Sequence, residues 1–166
     1  MTDVFARQGL ERVPGGRFAV FLAVCVLGMV LLEEPLAAGG AVPDFAVIAL
    51  TFGALRWGAL GGSILGFGLG LFRDSMALSY LGLNALGMTV LGYGLGKARE
   101  TLYLTTPGID FLLLAGAKLA LDVLVLGVAA DGAWRTFELR FFWESPLGAI
   151  VTAVLGALGH RLLRRR

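Results

Sequence analysis

Six apolar runs follow one another with only short polar gaps between them, at about Phe18 to Leu32, Ala41 to Leu55, Ala59 to Phe72, Leu81 to Gly96, Ile109 to Ala130 and Pro146 to Leu163. A chain in which 57% of residues are hydrophobic and 16% charged, with mean hydropathy +0.82, cannot hide so much apolar surface in a water-solvated domain of this length. The runs predict an all-α membrane protein, a bundle of about six short transmembrane helices. The second and third runs are short against the roughly 20 residues of an ordinary spanning helix. One of them is therefore expected to be tilted, re-entrant or shielded by protein. Arg56 and Trp57 predict a turn between these two runs.

Basic residues collect in cytoplasmic loops, so they test the count of runs. With six spans and both termini inside, Arg7, Arg12, Arg17, Arg56, Lys97, Arg99, Arg161, Arg164, Arg165 and Arg166 are cytoplasmic. Arg73, Arg135 and Arg140 are outside, and Lys118 lies within a span. Ten against three favours this topology. The organisation is then a basic cytoplasmic N-terminus over 1–17, a six-helix transmembrane domain over 18–163 and a basic cytoplasmic C-terminus over 164–166. The first run has the outline of a signal peptide, a basic stretch before about 15 apolar residues with Ala37 and Ala38 after them. It reads as a retained first helix, because its removal would put the basic C-terminus on the wrong side.

Glycine contributes 25 of 166 residues and falls inside the apolar runs, the habit of closely packed membrane helices. Gly62, Gly66 and Gly70 recur every four residues and line one face of the third run; Gly92 and Gly96 repeat the device in the fourth. The face either packs within the bundle or receives a partner helix, and internal packing is the expectation. Lys118 and Asp122 stand four apart in the fifth run, near mid-membrane, where each charge is costly and must face the bundle or its neighbour. Asp44 begins the second helix and Asp74 ends the third, both at the outer boundary. Asp44 is placed to cap its helix, and Arg73 is placed to clasp Asp44.

Other patterns carry no chemistry. Thr89 to Gly94 has an extra Leu and no pore-helix context for a potassium filter. Gly66 to Gly70 lacks the spacing and the preceding strand of a dinucleotide loop. His160 is a lone interfacial histidine and Cys25 a lone cysteine, so neither a metal cluster nor a catalytic triad can be assembled, and no catalytic, cofactor or metal residue is assigned. A net charge of +2 without a basic patch excludes nucleic acid as a partner. Between the last two runs, Asp131 to Glu144 carries Trp134, Phe137, Phe141 and Trp143. This stretch is either an aromatic belt at the outer interface or a docking surface for an extracytoplasmic partner.

The central third of the chain resembles a known family. Pro43-Asp44, the short run ending at Arg56, Gly62 to Gly70, then Asp74 and Leu81-Gly82-Leu83-Asn84-Ala85 are similar to the rod shape-determining protein MreD family over roughly residues 42 to 96. Pro43, Asp44, Gly66, Gly70, Asp74, Gly82, Leu83 and Asn84 carry the signature. Arg73, where the family has an apolar residue, and the loop from Asp131 to Glu144 depart from it. The resemblance implies a bacterial inner-membrane protein with no cofactor and no catalysis. It also implies a fold similar to energy-coupling-factor transporter substrate-binding subunits. Its implied partner is the single-span MreC, alongside MreB, RodA and a class-B penicillin-binding protein, with membrane lipid around it and a homo-oligomer left open. The function implied is a scaffold or regulator of peptidoglycan synthesis in the elongation machinery. The alternative from another class is the substrate-binding subunit of a small-molecule, vitamin-like transporter using Asp44, Asp74, Asn84, Lys118 and Asp122. An intramembrane enzyme lacks a nucleophile with a base.

Overall fold

The computed structural model describes residues 14–37, 43–76, 82–101, 107–129 and 146–159. All of these segments are helical apart from their caps: α1 (Gly15–Ala37), α2 (Phe45–Met76), α3 (Leu83–Thr101), α4 (Pro107–Ala129) and α5 (Pro146–Gly159). Two of them, α1 over Gly15–Leu32 and α2, are long and apolar enough by length and composition to cross a membrane. The aromatic stretch from Asp131 to Glu144, His160 and the basic segments at 1–13 and 160–166 lie outside the described residues.

The second and third apolar runs form one element, α2, that turns back on itself. At Gly58 the backbone takes φ 76° and ψ −168°, a conformation that is essentially reserved for glycine. The limbs at 45–57 and 59–76 then pack antiparallel, with Ala54 against Gly62 and Leu50 against Gly66. The turn expected around Arg56 and Trp57 thus falls one residue later. No neighbouring atom lies within 4 Å of a Cβ built at Gly58. Backbone strain alone, about 1–3 kcal/mol, therefore opposes a side chain there.

The first limb is short because it is the centre of the molecule. Every residue from Ala46 to Leu55 is buried, and a helix that is apolar all round belongs inside protein. Phe52 meets Phe21 of α1 edge-on, with ring centroids 5.4 Å apart, and Phe18 meets Trp57 in the same way. The guanidinium of Arg56 lies 4.6 Å from the Phe18 ring centre, which seats the first turn of α1 beside the Gly58 turn. Leu114 of α4 is fully buried and sits against Gly156 of α5, so the last two helices close the far side.

The outer faces of these helices are apolar. Val20, Val24, Leu27 and Leu31 on α1, Leu60, Ile64, Phe67 and Leu71 on α2, and Leu86, Val90 and Tyr93 on α3 are all exposed at helical spacing. On α5, Leu147, Ile150, Val154 and Leu158 repeat the pattern.

Candidate functional site

Three features of the sequence converge on the interior of the bundle: the glycine seam, the Asp74 to Asn84 signature and the ionisable residues. The seam joins the second limb of α2 to α3, which run antiparallel. A Cβ on Gly66 would collide with the Met88 carbonyl, one on Gly62 with the Gly92 carbonyl, and one on Gly70 with the backbone of Asn84 and Ala85. Gly96 lies in the same way against Gly58 and Ala59. All five glycines lie where α2 and α3 touch backbone to backbone. Met88, at the middle of the seam, is fully buried.

Asp74 and Asn84 are the polar end of that seam. The chain enters α3 through Gly82, whose φ of 95° favours glycine, and the orphan N–H groups of the first turn need acceptors. The Asp74 carboxylate, reaching across from the end of α2, supplies them. It accepts from the backbone N–H of Gly82 at 2.9 Å, Asn84 at 3.2 Å and Ala85 at 3.0 Å, and from the Asn84 side-chain amide at 2.9 Å. Asp74 is fully buried, so the Asp, Gly and Asn of the signature form one capping unit that locks α2 to α3. Asp74→Ala is expected to cost about 1–3 kcal/mol for each N–H left without a partner. Asp74→Asn, which keeps one acceptor oxygen, should cost less. Thermal unfolding in detergent measures both.

The ionisable residues form a second, separate cluster. Asp44 caps α2 in the ordinary way, its Oδ1 accepting from the Val47 N–H at 3.0 Å. Its Oδ2 accepts from Arg73 Nη1 at 2.8 Å, the expected clasp, and Lys118 Nζ stands 3.5 Å from the same oxygen. Lys118 is also paired with Asp122 one turn along α4. The backbone N–H of Asp44 donates to Thr152 Oγ1 of α5 at 2.8 Å. Two carboxylates and two cations thus balance inside the bundle, tying both ends of α2 to α4, with α5 attached through Thr152.

The charge pattern predicts Asp44 at the outer boundary and Lys118 in mid-membrane; the structure brings the Lys118 ammonium to the Asp44 carboxylate, beside Arg73 in the last turn of α2. Gly28, near the middle of α1, touches the Phe45 ring, and Lys118 is at the middle of α4. Asp44 thus lies beside the middle of α1 and α4 and beside the last turn of α2. The first limb of α2, about 20 Å long at 1.5 Å per residue, is shorter than α1 and α4, of 23 residues each. Thr152 escaped the sequence reading. Its signal was available, since it is the one polar side chain in an otherwise apolar helix.

Asp44 and Asp74, with Asn84, were grouped by the sequence as one candidate ligand site together with Lys118 and Asp122. The structure divides them into a capping unit at the α2–α3 junction and a charge network between α2 and α4. Among the described residues, no group of three or more His, Cys, Asp or Glu side chains is gathered to hold a metal ion.

No curated protein and no solved structure matches the chain. The family model for the rod shape-determining protein MreD matches residues 16–165, nearly the whole chain and far beyond the central third that carries the signature residues. The signature residues Asp74, Gly82 and Asn84 build the capping unit, and with the family model covering nearly its whole length the chain belongs to the MreD family of rod shape-determining proteins.

Proposed function

We propose that this protein is a non-enzymatic, multi-pass inner-membrane scaffold that supports rod shape by holding a single-span MreC-type partner next to the peptidoglycan-synthesising machinery, including MreB, RodA and a class-B penicillin-binding protein. Membership of a shape-determining family supplies the role in cell shape. The observation that carries the mechanism is the state of the polar side chains. Asp44, Asp74, Asn84, Lys118 and Asp122 are each engaged with the bundle's own groups, while the faces directed outward are apolar. Such a molecule offers helix faces to lipid and to partner helices. A vitamin-binding subunit would need those same polar groups turned toward a ligand in a roomy cavity.

In this reading the two limbs of α2 count as separate passes, so that the bundle has six, and the fold relation to energy-coupling-factor substrate-binding subunits is retained. Both termini are cytoplasmic, from the distribution of Lys and Arg. Single cysteines at Glu33 and at Lys97, in a background lacking Cys25, should react with an impermeant reagent from opposite sides of the membrane. Labelling of both from outside would overturn the topology.

The test of function is depletion in a rod-shaped host together with affinity isolation from native membranes. Rounded cells and stoichiometric recovery of one single-span partner are expected. Persistent rod shape with impaired uptake of a vitamin would defeat the scaffold reading.

A further inference from the structure

An apolar groove of about 660 Å³ runs along the outside of the bundle between α1 and α5, within the range of roughly 300–1,000 Å³ that small-ligand sites occupy. Val20 and Val24 of α1, Phe45 and Ile48 of α2, and Leu155 and Leu158 of α5 line it. It opens sideways to the surroundings, since Val20 and Val24 are 64% and 60% exposed.

Its length is informative. The groove begins at Gly16 and Arg17, in the first turn of α1, and ends at Cys25. That distance is about 12 Å at 1.5 Å per residue, close to the roughly 15 Å that is half of a bilayer's hydrocarbon core. Beyond Cys25, the Phe45 ring lies against Gly28, where a Cβ would stand 3.0 Å from it, and closes the groove. A spanning partner helix needs contact over the full thickness. A groove one leaflet deep matches an acyl chain.

The charge at its mouth selects the headgroup. Arg17 lines the groove there, at the positive end of the α1 dipole. The basic segments also join the helices at this end: residues 1–13 with Arg7 and Arg12 enter at Pro14, and residues 160–166 with Arg161, Arg164, Arg165 and Arg166 leave after Gly159. Asp3 and Glu11 are the only acidic residues in those two segments. We infer that the groove between α1 and α5 is a binding site for one anionic phospholipid, its acyl chain along Val20 to Cys25 and its phosphate at the Arg17 end. The assignment to the inner leaflet rests on the proposed topology.

The full chain reconstituted in nanodiscs of phosphatidylcholine with or without phosphatidylglycerol, and read by native mass spectrometry, tests this. Wild type should retain one phosphatidylglycerol in preference to phosphatidylcholine. Val24→Trp, which fills the groove from an exposed position, should lose that lipid at least tenfold, and Leu112→Trp, on an exposed position of α4, should not. Arg17→Gln should lower the preference for the anionic lipid roughly fivefold. Equal retention in Val24→Trp, or no preference for the anionic lipid in wild type, would overturn the inference. Capture of a single-span partner, measured on the same variants, separates this proposal from the scaffold reading. Partner capture abolished by Val24→Trp, with no lipid retained by wild type, makes the groove the partner's seat and defeats only the lipid site. Lipid retention with no partner captured in any variant defeats only the scaffold.

Discussion

Gly66→Leu is expected to unfold or misassemble the protein, whereas Gly68→Leu, two residues away on the same limb of α2, is expected to be nearly silent. A side chain at Gly66 points directly at the Met88 carbonyl, with Leu50 Cδ1 3.1 Å away on the other side. A carbonyl in a helix cannot rotate out of the way as a side chain can. The second limb would have to back away from α3, and the contacts at Gly62 and Gly70, equally close, would open with it. Ordinary overpacking of a core costs about 1–3 kcal/mol, and a clash with backbone in three linked contacts should reach or exceed the top of that range. Nothing lies within 4 Å of a Cβ at Gly68, and exchanging Gly for Leu in a helix is worth several tenths of a kcal/mol in favour of the variant. Thermal unfolding in detergent and the fraction of monodisperse protein measure the difference. If both variants behave alike, the seam does not hold α2 to α3.

The charge network yields the second large effect, with an order that the structure dictates. Lys118→Met leaves Asp122 with no cation of those in the network and Asp44 with Arg73 alone. Removing one partner from a buried pair costs about 3–5 kcal/mol, because the remaining charge is uncompensated. Asp122→Leu should be milder, because Lys118 still has Asp44 within 3.5 Å. The double variant should recover most of the loss, since it leaves Asp44 and Arg73 as a complete pair at 2.8 Å. Yield and melting temperature in detergent supply the comparison. Damage of equal size in all three variants would show that one of these residues serves a purpose of its own, as a transport site would require.

The apolar runs and the glycines at every fourth position made the all-helical architecture and the close α2–α3 contact legible in the sequence alone. Each of these is a local or periodic property, and periodicity survives in one dimension. The clasp of Asp44 by Arg73 and the pairing of Lys118 with Asp122 were legible for a related reason. A charge within an apolar run must find an opposite charge, and few were available. The capping role of Asp74 was not legible, because a carboxylate nine residues before the start of the helix it caps gives no sequence signal until the chain is seen to reverse.

What only the tertiary structure decided is which residues meet. The first limb of α2 is enclosed by the other helices and shorter than α1 and α4. Lys118 and Thr152, distant in the chain, therefore arrive beside Asp44. The five residues named as one ligand site became two structures with different tasks for the same reason. Helix lengths can be read from hydropathy, but the vertical offset between helices is set by which backbones can touch, and that depends on glycines from two elements meeting face to face.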